Sequence, residues 1–517
     1  MGMTPGENPE NLIQSHNFLV FSPSLEYLIR KFLAKRQRSP DLIGKGKFTM
    51  GKNKKFVLIC VLIFLSAAGL TGRANQETGE PSETLDEIMN RVQEFQEAVE
   101  QIRGKKFKTD VTVKIQSTED FTKFVKQAID KYLPDEVAIP YQTALIKLGL
   151  LPKDYNLRQG YEDLYTSQAG AYYDPATKTF YLLKTKLSPE SMNAIFVHEL
   201  THALQDQYFD LDSLTKKIEA SDNDDQAMAL RYLVEGEATY VMTIYSLQSL
   251  VGDSPEMLQQ ALTMQLLMSR ESCLAATKLS LEMTGEADEE TKKSTAILEK
   301  APFYLFWVLH APYLHGAYSV HQIVKKNDWA GVDKIFTEIP TTTEQIIHPD
   351  KLAPNRDEPT PCPLPSALGG DESWSIAYQN TLGEFGFWTL CEKFETESVN
   401  SKVAAKGWDG DRYFLLKNKN NGHYALGLMT AWDSEADARQ SFKAYGEILE
   451  EKYQPEADWT SVKNDNSLTL SRSTTAGNFT TVLILKDKFW VSLEDFPQDE
   501  IENIKNAVLK NLEPGPK

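Results

Sequence analysis

One stretch limits what this chain can build more than any other: Val197-His198-Glu199-Leu200-Thr201-His202-Ala203-Leu204, two histidines and a glutamate set in an apolar helical pattern. Residues four apart share a helix face, so His198 and His202 project together, close enough to grip one metal ion. Glu199 sits about 100° round the same helix, where its carboxylate reaches a water on that ion. Neutral imidazoles at this spacing suit Zn2+, which takes a third protein ligand and leaves one position open for water. The rest of the chain must supply that ligand and a fold that brings the groups together.

A metzincin would carry Gly and His at positions 205 and 208; the chain has Gln205 and Tyr208, which excludes that class. The better source is Leu233-Val234-Glu235-Gly236-Glu237-Ala238-Thr239, inside a second apolar helix pattern. A carboxylate buried on such a helix is costly unless paired or bound to metal. Glu235 is the expected third ligand and Glu237 the alternative, because residues two apart point to different faces. Gly236 weakens a helix by about 1 kcal/mol relative to Ala, which a close backbone approach near the metal would explain. Thr239, one turn after Glu235, is placed to support a ligand histidine by a hydrogen bond.

The chain has 517 residues, too many for one core, so two or three domains are expected. Its formal net charge is -18, and the first 75 residues are net basic, so the remainder is more acidic still. Such a polyanion makes a poor partner for nucleic acid or for an anionic membrane surface. The four cysteines, Cys60, Cys273, Cys362 and Cys391, form no CxxC pair, which argues against a cysteine zinc site or a thioredoxin-type motif.

From Met50 the chain has the layout of a secretory signal peptide. Lys52, Lys54 and Lys55 precede an apolar run, Phe56 to Leu65, and small residues follow around Ser66-Ala67-Ala68 and Gly72-Arg73-Ala74. Residues 50–74 are therefore expected to direct export, to a periplasmic or extracellular site. The alternative is an anchor through residues 56–70 at the outer face of the cytoplasmic membrane, although this run is short beside the about 20 residues of a membrane span. Residues 1–49 are expected to be a non-native or disordered extension ahead of that signal.

A polar linker at 75–83 leads to the first domain, expected over 84–352. Helices are expected at Thr84 to Arg103, Glu119 to Tyr132 and Val137 to Leu148, with a strand at Asp110 to Gln116. Residues 170–182 read as a β-hairpin turning at Asp174-Pro175-Ala176-Thr177. Ser188 and Pro189 then cap the helix that carries the histidines to about Tyr208, and a polar break follows. Further helices are expected from about Gln226 to Leu250, across Pro255–Lys278 and Ala301–Lys326, and at Gly331 to Phe336.

The Pro- and Gly-rich residues 353–372 are a domain boundary. Beyond them, 373–517 reads as a separate accessory α+β domain: Ser373–Cys391 part helical, then five strands around a helix at Ala436–Lys452, and a terminal helix at Asp499–Leu512. Asp409 and Asp411 lie in a tight acidic turn, but no bidentate glutamate follows at calcium-loop spacing. A structural turn is expected there.

The order hairpin, HExxH helix, then a helix reading Glu-Gly with Ala beyond resembles the gluzincin group of zinc metallopeptidases. HELTHALQDQ with EGEAT, and later WAGVDKIFTEIPTTTEQIIHPDK, is also similar to uncharacterised secreted bacterial proteins. The resemblance covers roughly residues 165–352. It implies a mostly helical zincin-like domain with a small edge-strand sheet, and Glu235 as third ligand. It also implies that a strand within Ala171–Leu183 holds the backbone of a protein or peptide substrate. The implied chemistry is metal-assisted hydrolysis, with Glu199 as general base. A His or Tyr donor for the oxyanion should come from downstream, and Tyr313, His315 and His348 are the candidates.

Overall fold

The computed structural model describes residues 85–511 apart from 169, 185–188, 220, 222, 284–288, 353–355, 366–367, 369–372, 398, 454–458 and 476. The signal segment, the first linker, the Ser188 cap, Cys60 and much of the 353–372 boundary lie outside these residues. The chain is α+β. No helix among the described residues is long and apolar enough to cross a membrane.

The first part runs α1 (Leu85–Arg103), β1 (Thr112–Gln116), α2 (Thr118–Tyr132), α3 (Asp135–Leu148), α4 (Leu157–Gln168), β2 (Ala171–Asp174) and β3 (Thr179–Leu183). It continues through α5 (Pro189–Phe209), α6 (Leu211–Glu219), α7 (Asp224–Val251), α8 (Pro255–Leu266), α9 (Arg270–Met283), α10 (Glu289–Lys300), α11 (Phe303–Thr337) and α12 (Thr343–Ile347). The second part comprises β4 (Trp374–Asn380), α13 (Gly383–Lys393), α14 (Ser401–Ala405), β5 (Trp408–Asn418), β6 (Tyr424–Trp432), α15 (Glu435–Tyr453), β7 (Trp459–Asn464), β8 (Ser467–Thr474), β9 (Gly477–Lys486), β10 (Phe489–Pro497) and α16 (Ile501–Asn511).

Several expected boundaries move for local reasons. The polar stretch after the histidine helix is itself a helix, α6, whose Leu211 and Ile218 reach the core. The helices expected at 301–326 and 331–336 do stand apart, meeting at a kink at Asp328, whose φ of 57° leaves the helical region. The segment expected as part helical after residue 373 starts with a strand, β4, before α13. The strand β7 went unread because its residues are mostly exposed and carry little alternation.

Two sheets organise the molecule. The first has order β1-β3-β2, with β1 parallel and β2 antiparallel to β3, so β2 is an edge. Strands β2 and β3 are covered on both faces, whereas β1 is largely exposed. Tyr172 and Leu183 pack against Phe121, Val125 and Ile129 of α2, while Ala171, Phe180 and Leu182 pack against Phe95 of α1 and Phe196 and Leu200 of α5. The second sheet is wholly antiparallel, order β4-β5-β6-β10-β9-β8-β7. Alternate residues of β5 explain its layering: Tyr413 and Leu415 join the core shared with α13 and α15, whereas Phe414 and Leu416 join the one under α16.

The first core joins the two parts. Leu233 and Tyr232 of α7, Phe306 and Trp307 of α11, and Phe385 and Trp388 of α13 belong to one apolar cluster. At its heart α7 and α11 touch through their backbones. A Cβ on Gly236 would lie 2.5 Å from the carbonyl carbon of Gly316, and one on Gly316 would lie 2.5 Å from the Tyr232 oxygen. The close backbone approach expected at Gly236 is to Gly316 of the neighbouring helix. Cys273, Cys362 and Cys391 are buried and form no disulfide among the described residues.

A buried acidic junction also ties the parts together. Asp225, at the start of α7, accepts hydrogen bonds from the backbone and hydroxyl of Thr343. Asp411 accepts from the amides of Leu382 and Gly383 and from the Trp408 indole, the structural role expected of that turn. Burial, with Asp411 and Glu384 adding to it, pushes the Asp225 carboxyl up to about 8.

Two tests follow from this packing. Gly316→Ala forces a methyl into the Tyr232 carbonyl and should destabilise the fold by about 1–3 kcal/mol or more, read as a fall in the urea midpoint. Asp225 in the folded chain keeps its proton to about 8, whereas unfolded it loses it near about 3.9. The folded form thus binds more protons in between, and its stabilising contribution is present at low pH and lost as pH rises toward 8. Asp225→Asn should flatten the decline in urea midpoint between about pH 5 and about pH 8; an unchanged slope would show that Asp225 does not titrate there.

Candidate metal centre

The histidine helix α5 is buried all round through its middle, not amphipathic: every residue from Ala194 to Asp206 is inaccessible. Its charged and imidazole side chains and Gln205 survive burial because each meets a partner from another element, while the Thr201 hydroxyl donates to Val197 O within the helix. Phe196, Leu200, Ala203 and Leu204 pack inward as the sequence implies. The polar side faces β2, α1 and α7.

Glu235 of α7 closes on both histidines. Its Oε2 lies 3.2 Å from His198 Nε2 and 3.3 Å from His202 Nε2, and the two imidazole nitrogens are 3.0 Å apart. His198, His202 and Glu235 form a buried group able to hold a metal ion. Ligands about 2.0–2.1 Å from a tetrahedral ion would stand roughly 3.3 Å apart, so these spacings fit one.

Without metal the group shares charge. Burial drives His198 down to about 4 against the pull of Glu235. For His202 burial is outweighed by the Glu235 carboxylate, which lifts it to about 9. Glu235 itself is buried, yet His202 and His198 hold it below the usual carboxylate range. A cation in the centre would take the place of that shared proton.

Glu199 is gripped at one oxygen only. The Tyr173 amide, on the outer edge of β2, donates to Oε2 at 2.8 Å, while Oε1 is buried without a partner. Burial, aided by the nearby Glu235 charge, raises the Glu199 carboxyl to about 8. Tyr173 is tied to α5 a second time, two turns on: its hydroxyl donates to Asp206 Oδ2 at 2.7 Å, which also accepts from Lys178 at 2.9 Å. The hairpin is thus pinned to the histidine helix at both ends of one residue.

Behind the histidines runs a buried polar chain. Gln205 Oε1 meets His202 Nδ1 at 2.9 Å, and its amide nitrogen donates to Val234 O at 3.0 Å and to Glu237 Oε2 at 2.9 Å. The other Glu237 oxygen accepts from Arg103, which also bonds Asp333 and lies over the Trp329 ring. Glu237, the alternative ligand, is therefore turned away from the centre, as two-residue spacing on a helix requires. Gln205, which served only to exclude a class, fixes the His202 ring; no spacing rule announced it. Thr239 does not support a histidine, since its hydroxyl is buried and unpartnered.

The three downstream candidates separate. Tyr313 of α11 stacks on the His198 ring at 5.8 Å between centroids. Its buried hydroxyl makes no hydrogen bond of normal geometry, though it senses Glu235, Arg231 and Glu199. Burial first, then Glu235, holds it neutral well above the usual tyrosine range. His315 points elsewhere, packed on Trp307 and Trp388, and burial lowers it to about 3. His348 caps the end of α12 and pairs with Glu384 at 2.9 Å. Neither belongs to the group formed by His198, His202 and Glu235.

The family described as a domain of unknown function, DUF8575, matches residues 375–492, most of the second sheet with α13 and α15. Among curated proteins and among solved structures, none matches the chain.

Proposed function

We propose that the chain is a zinc-dependent peptidase of the gluzincin type, its first part a zincin-like domain. The observation that carries this reading is the convergence of His198, His202 and Glu235 beside a Glu199 held by the backbone of an edge strand. A site that only bound metal would have no use for that glutamate.

With Zn2+ held by His198, His202 and Glu235, the centre would polarise a carbonyl and lower the pKa of a bound water. The chain's own groups do the rest. Glu199 takes the water's proton on its unpartnered Oε1 and passes it to the leaving amine. Tyr173 keeps that carboxylate aimed. The outer edge of β2, beyond which no described strand pairs, receives the substrate backbone in extended form. Tyr313 donates its hydroxyl to the developing oxyanion. Export of this activity follows from the basic, apolar and small-residue layout of residues 50–74; the N-terminal sequence of the mature protein tests it.

Purified protein should carry about one zinc per chain and hydrolyse an unfolded generic protein substrate. Glu199→Gln should keep the zinc and lose roughly 100- to 10,000-fold in rate. Glu235→Ala should lose the metal itself. Chelation should lower the melting temperature, since a ligand at 1,000 times its Kd stabilises by about 4 kcal/mol. Zinc in the wild type with no hydrolysis would overturn the peptidase reading in favour of a binding protein that keeps the metal site.

A further inference from the structure

One turn before Glu235 on α7, Arg231 is only 7% exposed. Its Nε and Nη2 are buried with no partner, and among the described residues no ion pair, hydrogen bond or cation–π contact reaches the guanidinium. Leaving such a cation buried and unpaired costs far more than a typical surface charge. Glu237, two turns from Arg231 along the same helix pattern, shows the contrast: it is satisfied at both oxygens.

The neighbouring phenols do not supply a counter-charge. Tyr161, Tyr165, Tyr232, Tyr304 and Tyr313 all feel the Arg231 charge, yet burial raises every one of them, so each stays a neutral phenol. The two unpartnered nitrogens form one edge of the guanidinium fork, the edge that takes a carboxylate through two parallel hydrogen bonds. Tyr313 connects this group to the centre, since its hydroxyl senses Arg231, Glu235 and Glu199 together.

We infer that Arg231 is an anion subsite of the centre, which receives a carboxylate borne by the residue next to the cleaved bond. The spacing sets this limit. Side chains one helical turn apart stand about 5–6 Å from each other at Cβ, and an extended peptide covers roughly 3.3–3.6 Å per residue. The carboxylate is the terminal one of the substrate or an acidic side chain, and both present the same group to the fork. The inference rests on the peptidase reading.

The test uses N-acetylated short peptides in three forms: C-terminal acid, C-terminal amide, and amide with glutamate at each position in turn. Cleavage sites are read by mass spectrometry. Wild type should prefer carboxylate-bearing forms by roughly 10- to 100-fold in kcat/KM, as a charge-assisted hydrogen-bonded pair implies, cutting beside the residue that bears the group. Preference for the acid form names the terminal carboxylate; preference for glutamate amides alone names the side chain. Arg231→Met should bring the ratio close to one, mainly through KM, while Arg231→Lys, which keeps the charge and loses the fork, should retain part of it. Equal turnover of acid and amide forms by wild type overturns the subsite and leaves the peptidase intact. If wild type cleaves nothing, calorimetric binding decides separately. Tighter binding of acid than amide peptide by Glu199→Gln protein, lost on adding Arg231→Met, supports the subsite, and equal or absent binding overturns it.

Discussion

Two helix backbones meet at Gly236 and Gly316 with no room for a side chain between them. That contact fixes the separation of α7 and α11, and the centre is assembled from what stands beside it. Glu235 is adjacent to one glycine; Tyr313 lies one turn before the other. A larger residue at either position would push the carboxylate away from the histidines or the phenol away from the His198 ring. Close packing transmits such shifts because interiors have few voids to absorb them.

A second requirement is that α5 bury a full turn of charge. A carboxylate or imidazole taken from water is tolerated only with a compensating partner. Glu235 compensates both histidines, the Tyr173 amide compensates Glu199, and Gln205 links His202 to the Glu237–Arg103–Asp333 chain. Three elements distant in sequence, α1, β2 and α7, must therefore dock correctly before α5 is stable. Folding and assembly of the site are one event in this arrangement.

Much of this was legible in the sequence, for a physical reason: helical and strand periodicities are local. The hairpin at 170–182, the histidine helix and the Glu235 helix all read correctly, because each presents its spacing in one contiguous stretch. Choosing Glu235 over Glu237 needed the partner of Glu237, and that partner, Arg103, lies on α1 with nothing in its own surroundings to mark it. Gln205 and Arg231 were missed for the same reason, as ordinary helix residues whose meaning comes from tertiary neighbours. The edge strand β7 escaped because its residues are mostly exposed and show no clean alternation of apolar and polar residues. The acidic junction at Asp225 draws on three separate segments, so no window of sequence contains it.

The two sheets differ in how their polar groups are satisfied. Around the second, Glu494 receives Tyr445, Lys452 and Tyr453, Asp411 receives two amides and an indole, and the Trp490 indole donates to Ser441, while Glu384 Oε2 is buried without a partner. Around the centre, His198 Nδ1, Glu199 Oε1, the Arg231 fork and the Tyr313 hydroxyl are buried and left open. Native interiors rarely leave such groups unpaired, and each instance asks for a cause. Here they gather about α5, α7 and α11, beside a strand edge that no described strand covers. The four around the candidate centre leave hydrogen-bonding capacity that a bound ligand would complete.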